Sequence, residues 1–115
     1  MKINNSITFS GKFYSVPQIS LDPKIKNSLP YGEVTSVLED TKGFVVKQHD
    51  GRAKMISRFI GDKLREYTEY IDGNKYKSIY SKTGELLKKI EHEGNQKRTV
   101  VFKNGIPYEK LDIIG

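Results

Sequence analysis

The sequence predicts an all-β chain, an antiparallel β-meander of about seven to nine strands that forms either a strongly curved sheet or a small barrel. Three observations carry this prediction. Glycine recurs at Gly32, Gly43, Gly51, Gly61, Gly73, Gly84, Gly94 and Gly105, at intervals of 8 to 12 residues. Asp50-Gly51, Asp72-Gly73 and Asn104-Gly105 are hairpin signals, because these residue types accept the positive φ of a type I′ turn, and Thr83-Gly84 and Glu93-Gly94-Asn95 are weaker versions. The stretches between the turns are short and hold β-branched and aromatic residues that alternate with polar ones.

At 115 residues the chain matches one ordinary domain. Its 36% of hydrophobic residues against 30% charged ones favours a thin sheet with one wet face over a thick core. Residues 1–32 read as an irregular, proline-containing cover and 33–115 as the meander. Pro17, Pro23 and Pro30 lie in the first part, where Asp22-Pro23 and Leu29-Pro30 are expected to break regular structure. Ser6–Phe9 and Phe13–Val16 are each expected to add a strand, with Ile19, Leu21, Ile25 and Leu29 draped over an open end of the sheet.

The expected strands are Glu33–Glu39, Phe44–Gln48, Lys75–Ser81, Glu85–Glu91, Lys97–Lys103 and Tyr108–Ile113. Between them, Arg52–Ile71 carries two patterns. Ile56, Ile60, Leu64, Tyr67 and Ile71 fall at helical spacing, whereas Ala53, Met55, Ser57 and Phe59 alternate as a strand would. Gly61-Asp62 lies in the middle, where glycine costs a helix about 1 kcal/mol relative to alanine. Strands are the preferred reading, with a short helix around Asp62–Tyr70 as the alternative. In the last third, alternation places Tyr76, Tyr80, Leu86, Ile90, Val100, Phe102, Leu111 and Ile113 on one buried surface. Lys75, Lys77, Lys89, Thr99 and Lys103 then fall on the other face, while Ile79, Leu87 and Val101 break the pattern.

The formal charge of +6 is uneven. From Lys75 to Lys110 nine basic residues face Glu85, Glu91, Glu93 and Glu109. A basic surface fits an anionic macromolecule, either nucleic acid or an acidic protein patch. Lys75, Lys77, Lys88, Lys89, Lys97, Arg98 and Lys103 are the candidate binding residues. The seven tyrosines add rigid aromatic faces on which bases stack, although alternation turns Tyr76 and Tyr80 toward the core.

With no cysteine, disulfides, thiolate zinc sites, iron–sulfur clusters and cysteine nucleophiles are excluded. Asn4, Asn5 and Ser6 interrupt the apolar stretch that a classical signal peptide needs, and no run approaches membrane-spanning length. A soluble, cytoplasmic protein is therefore expected. His49 and His92 are the candidate catalytic residues, since a histidine base and acid beside Lys or Arg is the chemistry of small ribonuclease toxins. Nothing in their spacing brings the two together. His92 between Glu91 and Glu93 is no ligand cluster, because neighbours on a strand point to opposite faces. No metal or cofactor is expected, since the glycines are too far apart for a phosphate-cradling loop.

The segment Tyr80-Ser-Lys-Thr-Gly84-Glu-Leu86, followed by Gly94-Asn95, resembles a YD repeat of Rhs-type wound β-sheets, although no Asp follows Tyr80. Tyr67–Asn74 and Phe102–Gly105 are similar to degenerate MORN-like hairpin arrays seen in some antitoxin-related proteins. The resemblance covers about four strands and implies a hairpin array rather than an activity. Taken together, the sequence points to a non-enzymatic module that engages a macromolecule through a basic, tyrosine-containing sheet. The alternatives are a small ribonuclease-like toxin using His49 or His92, and an immunity or antitoxin-type protein that pairs through a strand edge.

Overall fold

The structure, a computed structural model, describes residues 14–16 and 21–113. Eight long strands follow one another: β2 (Glu33–Glu39), β3 (Gly43–Asp50), β4 (Ala53–Ile60), β5 (Lys63–Ile71), β6 (Asn74–Tyr80), β7 (Leu86–Glu93), β8 (Gln96–Lys103) and β9 (Ile106–Ile113). A two-residue strand, β1 (Tyr14–Ser15), pairs with β2, and one helix, α1 (Pro23–Ser28), precedes it. Each strand pairs antiparallel with the next, in the order β1 to β9. The sheet is thus an open meander with β1 and β9 at its edges, and the barrel alternative does not apply. The expected strand Ser6–Phe9 and Ile19 lie outside the described residues.

Turn chemistry explains the meander. In Asn104-Gly105 both residues have positive φ, 54° and 79°, as a two-residue type I′ turn requires. Asp72-Gly73 repeats the device. In the contested segment the turn is Gly61-Asp62, where only Gly61 has positive φ, and Ile60 pairs with Lys63 across it. Arg52–Ile71 is therefore a hairpin, and the helical spacing of Ile56, Ile60 and Leu64 is incidental. The turn after β3 differs from the expected Asp50-Gly51, because Asp50 pairs with Ala53 and leaves Gly51-Arg52 as the loop.

Asp22-Pro23 starts a helix rather than breaking structure. The Asp22 carboxylate accepts a hydrogen bond from the Lys24 N–H at 2.8 Å, and proline at the first helical position has no N–H to leave unsatisfied. That one and a half turns of helix deliver Ile25, 1% exposed, onto the sheet beside Leu21. Together with Val37, Val46 and Phe59 they form the core, flanked by Val16, Leu29, Val34, Phe44 and Leu64. Leu21 and α1 thus lie over β2 to β5. A further contact seats this segment. The Gln48 side-chain amide donates to the carbonyls of Pro30 and Gly32 at 2.8 and 3.1 Å. Gly43 passes so close to the Phe59 carbonyl that a Cβ would collide with it.

The sheet has two faces, because partners in an antiparallel ladder point the same way. We call the side under α1 the helix face and the other the lysine face. Val37, Val46, Ser57, Tyr67, Ser78, Lys89, Val100 and Glu109 form one continuous row on the helix face. Beyond β5, whose Leu64 flanks the core, no described residue packs against it. No described residue from Gly61 onward is buried, and β6 to β9 extend as a single layer of described residues. The expected buried surface of Tyr76, Tyr80, Leu86, Ile90, Val100, Phe102, Leu111 and Ile113 does not form, because no second layer of described residues covers it.

Ile90 also leaves that set. A register shift at Ile79/Tyr80, where Ile79 opposes Lys88 but Tyr80 opposes Leu86, leaves Leu87 as an extra residue in β7. From there on the side chains of β7 exchange faces. Ile90 joins the lysine face, and Lys89 moves to the helix face.

Candidate functional site

The site is built from rows of cross-strand neighbours on the lysine face. One row runs His49, Lys54, Tyr70, Lys75, His92, Lys97 and Asp112, one residue per strand from β3 to β9. The next runs Lys47, Ile56, Thr68, Lys77, Ile90, Thr99 and Lys110. A third crosses Glu66, Ile79, Lys88, Val101 and Tyr108. Strands lie about 4.8 Å apart, and successive same-face residues along a strand about 7 Å apart, so the ammonium groups form a lattice of closely spaced charges.

Charge is segregated between the faces. On β5 to β9 the lysine face carries Lys63, Lys75, Lys77, Lys88, Lys97, Lys103 and Lys110 against Glu66 and Asp112. The helix face carries Lys89 and Arg98 against Glu69, Glu91, Glu93 and Glu109. Of the seven basic residues expected from the sequence, five therefore share a surface, while Lys89 and Arg98 face the other way. Arg98 is engaged there, with Nε 2.7 Å from Glu109 Oε1 and Nη1 3.5 Å from Glu91 Oε1. Lys54, Lys63 and Lys110 complete the basic surface. Sequence reasoning missed Lys54 as a site residue, because only the pairing of β4 with β5 sets it in the row of Lys75.

Tyrosine contributes on both faces. On the lysine face, Tyr70 is 40% and Tyr108 55% exposed. Lys75 Nζ stands 5.8 Å from the Tyr70 ring centroid, and Lys103 Nζ 5.5 Å from that of Tyr108. At that range a cation is drawn to the negative ring face. Among the described residues of this face, Lys77 stands 3.1 Å from Glu66 on the neighbouring strand, and Lys110 3.9 Å from Asp112 on its own strand. On the helix face, Tyr76 Oη donates to Glu93 Oε2 at 2.5 Å, and that bond to an anion pushes the phenol pKa upward. Burial does the same for Tyr67. Both rings stay neutral through the physiological range.

The two histidines share a row but not a site. His49 on β3 and His92 on β7 are four strand spacings apart, about 19 Å along the sheet. Acid and base acting on one phosphate must both lie within hydrogen-bond reach of it, which this separation forbids. His92 lies between Lys75 and Lys97 on an open surface, and His49 borders a shallow hollow lined by Pro30, Tyr31, Gly32, Glu33, Asp50 and Gly51. Among the described residues no three His, Asp or Glu side chains converge as metal ligands, and no helix is long and apolar enough to cross a membrane. Comparison of the chain with family models, with curated proteins and with solved structures returns no match.

Proposed function

We propose that this chain is a non-enzymatic binding module that takes a polyanionic macromolecule, single-stranded nucleic acid, across the lysine face of β5 to β9. The segregation of charge carries the reading: seven lysines and two carboxylates share one face, and four carboxylates with two basic residues share the other. A surface selected only for solubility has no reason to sort its charges by face, since either sign serves equally well on either side.

The shape of the surface favours a flexible strand over a folded duplex. Phosphates follow rows of lysines, and unpaired bases stack on exposed rings such as Tyr70 and Tyr108. An acidic protein segment would meet the same lysines but gains nothing from the rings, so the aromatic contribution separates the two partners. Fluorescence anisotropy with a labelled oligonucleotide, at low and near-physiological salt, tests the reading. Salt-sensitive binding that weakens on Tyr70→Ala and Tyr108→Ala supports it. Equal competition by polyglutamate with no effect of the tyrosines points to an acidic protein partner, and strand cleavage overturns the non-enzymatic assignment.

A further inference from the structure

We propose that β9 pairs edge to edge with β9 of a second copy, antiparallel, about a two-fold axis normal to the sheet that passes midway between the two copies of Leu111. Among the described residues nothing pairs with the outer side of β9. Its large apolar side chains are open to water, with Ile106 56%, Tyr108 55%, Leu111 52% and Ile113 62% exposed. A long, accessible edge of this kind offers a ready template for another strand.

The register of the β8–β9 hairpin states which backbone groups face outward. The type I′ turn at Asn104-Gly105 makes Lys103 and Ile106 a hydrogen-bonded pair, and bonded and non-bonded pairs then alternate. Pro107, opposite Phe102, falls at a non-bonded position, where its lack of an N–H costs β8 nothing. Tyr108, Lys110 and Asp112 therefore bond to β8. Glu109, Leu111 and Ile113 turn their N–H and C=O groups outward.

Charge complementarity selects the partner and the register. With the two copies of Leu111 facing each other across the axis, Lys110 lies opposite Asp112 of the partner subunit, and the same contact recurs by symmetry. Leu111 meets Leu111 of the partner subunit on the helix face. Glu109 and Ile113 exchange backbone hydrogen bonds with Ile113 and Glu109 of the partner subunit, and Pro107 stays outside the ladder of these residues. Neighbouring registers are poorer, because centring on Glu109, Lys110 or Asp112 places like charges opposite one another. An edge whose charges complement themselves in one register is built for its own copy. The axis is normal to the sheet, so both lysine faces point the same way and become one continuous basic surface. The pairing rests on the hairpin register and the charges of β9 and does not depend on the proposed ligand.

Sedimentation velocity of the full chain without nucleic acid, from about 1 μM to about 1 mM, tests the proposal, since an interface of one strand per copy sits at the weak end of stable association. A concentration-dependent monomer–dimer equilibrium is expected. Lys110→Asp alone and Asp112→Lys alone should each raise Kd by about tenfold or more. The two single variants, mixed, should form a heterodimer, and the double exchange should restore the homodimer. Such rescue separates pairing from misfolding. Leu111→Pro should abolish the dimer while leaving the β8–β9 ladder intact, because the N–H it removes points outward. A chain that stays monomeric throughout, or a dimer indifferent to both charge changes, overturns the proposal and leaves the lysine-face reading standing.

Discussion

The Arg58 guanidinium grips the Asp40 carboxylate through two hydrogen bonds, Nη1 to Oδ1 at 3.3 Å and Nη2 to Oδ2 at 3.0 Å, with both side chains almost wholly excluded from water. Asp40 Oδ1 also accepts the backbone N–H groups of Lys42 and Gly43, at 3.0 and 2.8 Å. One carboxylate thus ties the β2–β3 turn to β4, and its bonds are strongest to the ionised form. Asp40→Ala should lower the unfolding free energy by about 3 kcal/mol, because it leaves turn donors unanswered and a buried guanidinium without its counter-ion. Urea denaturation monitored by circular dichroism measures this.

The same carboxylate makes stability depend on acid. Burial alone would raise the Asp40 pKa, but the Arg58 hydrogen bond, the Gly43 and Lys42 N–H groups and the Arg58 charge outweigh it, and the net shift is downward. The unfolded chain therefore takes up a proton at this position before the folded chain does. The stabilisation is complete above the unfolded carboxyl value of about 4 and is lost as pH falls through the lower folded value. Thermal melts from about pH 6 to about pH 2 should show a steeper acid decline in the parent than in Asp40→Asn, which lacks the titrating group.

Packing should be unequal along the sheet. Phe59 is fully buried beneath α1, and its replacement by alanine should cost about 3 to 5 kcal/mol. Val101 on the single-layer part of β8 is only partly covered, and Val101→Ala should cost about 1 kcal/mol or less. Hydrogen exchange should likewise protect the amides of β3 and β4 more strongly than those of β8 and β9. Equal protection would show that the layer is covered in solution.

Adjacent lysines should behave differently in binding. Lys88 and Lys89 are neighbours in sequence, yet the extra residue Leu87 and the pairing of β7 put Lys88 on the lysine face and Lys89 on the helix face. Lys88→Glu should weaken oligonucleotide binding at low salt by about tenfold and flatten its salt dependence. Lys89→Glu should change the affinity by less than about threefold, through long-range charge alone. Equal losses would mean that the ligand does not distinguish the faces.

Much of the fold was legible because its signals are local. The residues of Glu33–Glu39 mark a strand with the ends that β2 has, and the hairpins around Asp72-Gly73 and Asn104-Gly105 follow from residues that tolerate positive φ. Ala53, Met55, Ser57 and Phe59 declared β4 by alternation, and all four are buried on one face. The bulge at Leu87 carries no comparable signal. It arises from how β6 and β7 align at the Ser81–Glu85 turn, where the Ser81 hydroxyl accepts the Thr83 and Glu85 N–H groups at 3.2 and 3.1 Å. That single offset exchanged Ile90 with the expected core and Lys89 with the expected basic face.

The sequence by itself determined the excess of positive charge, and it determined the meander, its antiparallel pairing and most of its turns, since these depend on residues near one another in the chain. Tertiary structure decided where the core stops, how far apart His49 and His92 lie, and which lysines share a face. Those outcomes depend on which layer covers which, and on register accumulated across several strands. A one-residue offset inverts every side chain beyond it while leaving the composition of each strand unchanged.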